Sequence, residues 1–312
     1  KLNKHGENII GRIDMSIKTL AEDNIKEITE GIIRDMESHD MTQPFVPKWI
    51  TNLHMNVDGY QYTGWNQFHL NYKYGYSTPI WGTYNQWNKI GLHPAPRSGR
   101  PLWQPMTFKT EDKKTGKEKI IQRFKAVAIH SIDHVSGDSK VIEDLRDSLL
   151  NRINTATEYT QVESIDKQVS RLDAKITHGS NRACYIPSTD EIMMPQHTAF
   201  KKTESYYSTL FHEITHWSGH KTRCNRTLSG SFASNDYAFE ELIAELGASF
   251  HMAKYGMLHT TRQDHVHYLK SWAKALRDKP DALRSACKYA SQSFFYIRDV
   301  TNKIDSKEQV AV

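Results

Sequence analysis

The sequence predicts an α+β protein of two domains. The first is a small N-terminal α+β domain with an antiparallel sheet, and the second is mainly helical with an edge hairpin. Three observations carry this. Apolar residues recur at helical spacing over residues 13–37 and over most of the chain after 162. Residues 45–130 are instead rich in aromatic side chains and end in two strand-like runs joined by a polar tip. Ser136-Gly137-Asp138-Ser139 then marks a break in composition. The expected division is 1–138, a linker or insertion with a helix at 139–161, and 162–312; 312 residues suffice for two cores.

Residues 13–37 read as one amphipathic helix, with Ile17, Leu20, Ile25, Ile28, Ile32, Ile33 and Met36 as its apolar stripe. Pro44 and Pro47 break it. From Phe45 to Phe108 there are 14 aromatic residues, and from Met41 to Lys125 there are 12 Lys and Arg against 4 Asp and Glu. Tyr60 and Tyr62 alternate, as do Tyr72, Tyr74 and Tyr76, so each set shares a face if extended. Phe68, Trp81 and Trp87 are expected in the core. Residues 77–91 read as a turn into a short helix. Leu102–Thr110 and Lys119–His130 read as a hairpin with its tip at 111–117.

In the second half, 141–153 is a helix, 154–161 a Thr-rich linker, 164–172 a helix and 174–176 a short strand. Ala183–Ile186 and Glu191–Pro195 form a hairpin. Helices follow at 203–218 and 237–255, then at 262–277 and 280–300, with a frayed tail from Asn302. The net charge of +5 permits an anionic partner without requiring one. Cys184, Cys224 and Cys287 form no C-x-x-C pair and are expected to be reduced thiols of a cytoplasmic protein. No apolar run approaches the length of about 18 residues that a membrane span needs.

The chemistry concentrates in Phe211-His212-Glu213-Ile214-Thr215-His216-Trp217-Ser218-Gly219-His220. On a helix, His212 and His216 lie one turn apart on one face and can offer two imidazoles to one metal. Glu213 beside them is the candidate general base, taking a proton from water at that metal. Thr203 is the expected N-cap of this helix and Gly219 its C-cap. H-E-x-x-H alone is a weak signal, and its helical context strengthens it.

A catalytic zinc needs a third protein ligand. A histidine six residues after His216 would complete a metzincin pattern, but that position is Thr222. The next helix carries Glu240-Glu241-Leu242-Ile243-Ala244-Glu245. Glu241 and Glu245 are i and i+4, which suits a gluzincin arrangement with Glu241 on the metal and Glu245 orienting a ligand histidine. Glu240 stays open as the ligand, because one residue is a rotation of only about 100°. The expected ion is Zn2+, with Mn2+ as the alternative.

Aromatic residues interleaved with bases suit a single-stranded nucleic-acid surface. Rings stack on bases for about 1–3 kcal/mol each, and cations neutralise phosphates. The candidates are Lys48, Trp49, Tyr60, Tyr62, Trp65, Tyr74, Lys89, Arg97 and Arg100.

These residues resemble the ArdC-type antirestriction proteins of conjugative plasmids and the N-terminal half of TraC-type conjugative primases. The resemblance is close through residues 181–195, 206–220, Arg223, Asn225-Arg226 and 237–248, and returns at Ser271-Trp272 and Asp278-Lys279-Pro280. It is looser at Tyr60, Tyr62-Thr63-Gly64-Trp65-Asn66 and Trp81–Gln86 with Gly91. At Leu92–Arg100 the chain departs from the family's basic, glycine-rich loop and is poorer in charge. The resemblance implies a module binding single-stranded DNA joined to a zincin-like metallopeptidase module. It also implies guarding of transferred plasmid DNA in a recipient cell, whether by coating the DNA, by cleaving a host protein such as a restriction component, or by both. Primer synthesis is not implied. Two further readings of the residues are a DNA-coating protein with a structural metal and, ranked lower, a nuclease.

Overall fold

The computed structural model describes residues 9–43, 45, 49–75, 78–111, 118–154, 158–228, 235–257, 259, 261, 269–279 and 281–310. The first half runs α1 (Ile9–Ser38), β1 (Met55–Asn56), α2 (Gly64–His69), β2 (Ile80–Thr83), α3 (Tyr84–Lys89), β3 (His93–Pro94), β4 (Arg100–Glu111), β5 (Glu118–Ser131) and β6 (Val135–Ser136). The second half runs α4 (Ser139–Asn154), α5 (Glu158–Ser170), β7 (Lys175–His178), β8 (Cys184–Ile186), β9 (Glu191–Met194), α6 (Thr203–Ser218), α7 (Asn235–Lys254), α8 (Leu269–Asp278) and α9 (Ala282–Val310). The architecture is α+β. Two compact units interleave in sequence: Lys1–Ile28, Met55–Tyr60 and Ser77–Leu149 form one, and Thr29–His54, Gln61–Tyr76 and Leu150–Val312 form the other.

The first unit holds a four-stranded sheet of order β1-β2-β5-β4. β1 and β2 are parallel, and the other pairs are antiparallel. Its core uses tryptophan where other domains use leucine: Trp81 and Trp87 are fully buried with Ile80, Leu92 and Ile129. The Trp87 indole N–H donates to the His130 carbonyl over 3.0 Å, which satisfies its one polar atom. Glycine at 82 is required because a Cβ there would come within 2.8 Å of the Trp87 ring. Thr83 and Gln86 form a capping box that starts α3. Residues 80–83, expected to lead into a helix, are strand β2, and the helix begins only at Tyr84.

The second unit is mainly helical. α6 packs on α7, α7 on α9, and α2 on α9. The Gly64 N–H donates to Ser291 Oγ over 2.7 Å, joining α2 to α9. A three-stranded sheet of order β7-β9-β8 leaves β8 at an edge; β7 runs parallel to β9 and β8 antiparallel. Ile192 and Met194 of β9 turn inward against Leu210, Phe211 and Ile214 of α6. This packing seats the edge strand beside the H-E-x-x-H helix. Phe68 is in the core of this unit, with Trp49 and Trp65 around it at ring distances of 6.4 and 5.9 Å.

The alternation of tyrosines at 72–76 does not make a strand. α2 continues into a π-helical turn, Leu70–Tyr74, ended by Gly75 at φ 42°. The interacting period is four, not two: Tyr72 stacks on Phe68 at 6.1 Å and donates to Asp35 over 3.2 Å. Tyr76 lies outside the described residues. Helix α5 begins at Glu158, inside the stretch expected to be linker, and α9 extends to Val310 through the stretch expected to be a tail. Of the helix expected at 262–277, the described part is Leu269–Asp278. The hairpin tip 112–117 and Pro280 lie outside the described residues.

Candidate metal centre

α6 carries His212 and His216 one turn apart, and both look toward α7. The two helices approach closely because Gly247 of α7 has no side chain: a Cβ there would overlap the Thr215 side chain, with Cγ2 at 2.6 Å. Thr215 is fully buried and donates to the Phe211 carbonyl over 2.8 Å. The helix ends at Gly219, but not through a left-handed cap, since its φ is −72°. A Cβ there would meet Leu228 Cδ2 at 2.7 Å and Arg226 Nη2 at 2.8 Å, so a side chain at 219 would have to displace both side-chain ends. The helix starts at Thr203, so Lys202 rather than Thr203 is the cap residue.

His212 Nε2 lies 3.1 Å from His216 Nε2. Glu241 reaches both, with Oε2 3.4 Å from His212 Nε2 and Oε1 3.5 Å from His216 Nε2. Among the described residues, His212, His216 and Glu241 are the group able to hold a metal ion, with one donor atom from each within 4.8 Å of the others. All three are nearly enclosed. The opposite ring nitrogens face other acids of α7: His212 Nδ1 lies 3.2 Å from Glu245 Oε1, and His216 Nδ1 3.2 Å from Glu240 Oε1.

The acids behind the histidines are held in turn. Glu245 Oε2 meets His259 Nε2 at 2.6 Å and accepts from Thr261 Oγ1 at 2.9 Å. His259 Nδ1 lies 2.7 Å from Ser208 Oγ. Glu240 is gripped by Arg226, whose Nη2 donates to Oε1 at 2.8 Å and whose Nε donates to Oε2 at 3.1 Å. His259 and the part played by Arg226 were not legible in the sequence, because no spacing rule joins a loop residue to a distant helix.

Burial pushes both site histidines toward the neutral form, but the carboxylates outweigh it and hold His212 up at about 9 and His216 at about 10. Burial likewise raises Glu241, and the two histidines more than reverse that, taking it well below the usual carboxylate range. The donor set fits a divalent cation. Four-coordinate zinc with bonds of about 2.0–2.1 Å separates its donors by about 3.3 Å. The two Nε2 atoms stand 3.1 Å apart, close to that value, and Glu241 approaches each of them through a different oxygen, at 3.4 and 3.5 Å. Two facing Nε2 atoms are also better satisfied by a shared cation than by each other.

The site opens into a cleft of about 250 Å3, lined by His212, Glu213, His216, Glu241, Tyr237 and Tyr185 among others. Glu213 is 3% exposed and accepts from the Tyr185 main-chain N–H over 2.8 Å. Arg223 secures that strand: its Nη1 donates to Asp190 Oδ2 at 3.0 Å, its Nη2 to Asp190 Oδ1, and its Nε to the Trp217 carbonyl at 2.6 Å. The Tyr185 hydroxyl donates to Asp190 Oδ1 at 2.8 Å.

The nucleic-acid candidates divide between the units. Tyr60, Lys89, Arg97 and Arg100 belong to the first unit, where Tyr60 is 74% exposed and Arg100 is half-buried. Trp49, Tyr62, Trp65 and Tyr74 belong to the second. There Trp49 and Trp65 are buried, so neither ring is presented to a base, while Tyr62 and Tyr74 are partly exposed. Lys48 lies outside the described residues. Two further rings of the first unit stand exposed, Tyr84 and Phe124, the latter between exposed Arg123 and Lys125 on β5.

Two histidines one turn apart, a glutamate from the next helix, and a short sheet whose edge strand lines the cleft define a zincin-like metallopeptidase domain. The family described as "Zincin-like metallopeptidase" matches residues 163–289, and the "N-terminal domain of anti-restriction factor ArdC" matches residues 22–133. The chain belongs to the ArdC-type antirestriction family. It is 30% identical over 226 residues to the uncharacterized protein y4eC of Sinorhizobium fredii, covering 70% of each chain. It is 40% identical over 123 residues to DNA primase TraC of Escherichia coli, spanning 39% of this chain but 8% of the primase. The metal-free crystal structure of antirestriction protein ArdC from plasmid R388 superposes with a TM-score of 0.69 at 28% identity, covering 89% of this chain and 98% of that one. Its Mn(II)-bound form gives 0.67 at 26% identity, covering 89% and 97%. Among the described residues no helix is long and apolar enough to cross a membrane.

Proposed function

We propose that this antirestriction protein binds single-stranded plasmid DNA through its first unit and hydrolyses peptide bonds at a divalent metal held by His212, His216 and Glu241. The observation that carries the enzymatic reading is the convergence of those three donors with Glu213 in one cleft beside an edge strand. A structural zinc is closed by four protein ligands, whereas three leave a position for water; this favours catalysis over a purely structural metal.

A bound ion supplies Lewis acidity, polarising the scissile carbonyl and acidifying water. The residues of the chain do the rest. Glu213 takes the proton from the attacking water and delivers it to the leaving amide nitrogen. Glu245 and Glu240 hold the two imidazoles with Nε2 toward the ion. Tyr237, in the cleft wall, donates to the oxyanion. The edge strand β8 offers its main chain to an extended peptide. The substrate on this reading is a protein of the recipient cell's restriction apparatus. Zn2+ suits the donor set, and Mn2+ is the alternative.

The DNA-binding reading is supported by Tyr60, Tyr84 and Phe124 standing exposed on a unit that also exposes Lys89, Arg97, Arg123 and Lys125. The test uses a labelled oligonucleotide, single-stranded and as duplex, at two salt concentrations, followed by fluorescence anisotropy. Strand-selective binding that weakens with salt is expected, and equal affinity for both forms would remove the reading. In parallel, Glu213→Gln should retain metal and lose peptide cleavage; undiminished cleavage would exclude Glu213 as the base.

A further inference from the structure

We propose that Arg226 sets the coordination number of the metal centre by holding Glu240 out of it. This rests on the metal site proposed above and assigns a selectivity determinant to it.

Glu240 and Glu241 are neighbours on α7, both buried, and both reach His216, but at opposite ring nitrogens. Only Glu241 faces the cluster of donors. With Glu213 and Glu245, four carboxylates surround two imidazoles here. Carboxylate-rich sites favour hard, six-coordinate ions such as Mn2+, whereas two imidazoles and one carboxylate favour four-coordinate zinc with one open position. Arg226 removes one carboxylate from competition. It engages both oxygens of Glu240 and neutralises its charge.

The arginine cannot easily swing away. Its Nη2 also donates to the Thr215 carbonyl at 2.6 Å and its Nη1 to Ser218 Oγ at 3.1 Å, and its side chain is 3% exposed. The missing side chain of Gly219 makes room for it. Four anchors on a buried guanidinium fix Glu240 at His216 Nδ1, where it orients a ligand without becoming one.

The test loads the full chain with Co2+, whose visible absorption weakens as coordination number rises, and separately competes Zn2+ against Mn2+. The wild type should give the intense four-coordinate spectrum. Arg226→Met should weaken it and shift the Mn2+/Zn2+ affinity ratio about tenfold toward Mn2+. Arg226→Met with Glu240→Gln should restore both. An Arg226→Met protein with wild-type spectrum and preference, or one that folds but loses metal outright, would overturn the proposal. Arg226→Gln, which keeps a polar side chain without the charge, decides the matter should Arg226→Met fail to fold: a weakened spectrum supports the proposal, and a wild-type spectrum overturns it. Wild-type protein that binds no metal would overturn this inference and the metal site together, whereas failure of the variants alone leaves that site standing. None of these readings depends on peptide cleavage.

Discussion

The main-chain N–H of Tyr185 donates to Glu213 Oε2 over 2.8 Å, so the edge strand of the sheet positions the carboxylate proposed as general base. The contact belongs to the backbone, while the Tyr185 hydroxyl serves the Asp190–Arg223 clamp. The two roles are separable. Tyr185→Pro removes the N–H at an edge strand, where proline is tolerated. It should lower kcat for peptide cleavage about tenfold with metal content unchanged, since a misplaced base loses its alignment. Tyr185→Phe should keep kcat and cost about 1 kcal/mol of stability through its lost hydrogen bond. Steady-state kinetics and urea unfolding on both variants separate these outcomes.

Exposed and buried rings of the first unit should respond differently to truncation. Tyr60, Tyr84 and Phe124 are 74%, 57% and 57% exposed, and Trp87 is fully buried. Alanine at each exposed position should weaken single-stranded DNA binding by about 1–3 kcal/mol and leave the melting temperature near wild type. Trp87→Ala should cost about 3–5 kcal/mol of stability by opening a cavity. Anisotropy and thermal melts read the two effects.

His251 is fully buried, stacked on Phe211 at 4.4 Å, and neither ring nitrogen has a hydrogen-bond partner among the described residues. Burial holds it well below the usual histidine range, so it is neutral in the fold. The unfolded chain binds the extra proton below pH about 6.5. Stability is therefore fully present above that pH and falls as pH drops toward the depressed folded value. His251→Phe keeps the stacking and should gain about 1–2 kcal/mol at neutral pH. It should also flatten the acid limb of stability below pH about 6.5, measured by urea unfolding across pH.

Gly247 sets the spacing of the two helices that carry the donors. Gly247→Ala would press a methyl group into the Thr215 side chain. Overpacking of this kind costs about 1–3 kcal/mol. Because α6 carries both histidines and α7 carries Glu241, metal affinity should fall as well. Thr215→Ala in the same chain removes both close atoms, the hydroxyl oxygen and the methyl, and should recover part of both losses. Calorimetric titration with Zn2+ beside denaturant unfolding checks this pairing.

Local periodicity and composition in the sequence determined the long helices, the β4–β5 hairpin and the hairpin beside the site, because neighbouring residues impose those patterns. The i, i+4 spacing of His212 and His216 follows from helix geometry alone, as does the shared face of Glu241 and Glu245. The burial of Trp81, Trp87 and Phe68 was legible for the same reason: large apolar rings in a leucine-poor stretch must supply its core. Only the tertiary structure decided which glutamate faces the donors, since adjacent helical residues differ by a rotation that packing, not sequence, fixes. It also decided that Tyr72 packs on a helix, that Trp49 and Trp65 turn inward, and that Arg226 and His259 stand behind the site. Each of these depends on residues distant in sequence meeting across a core, and no local pattern encodes such a meeting.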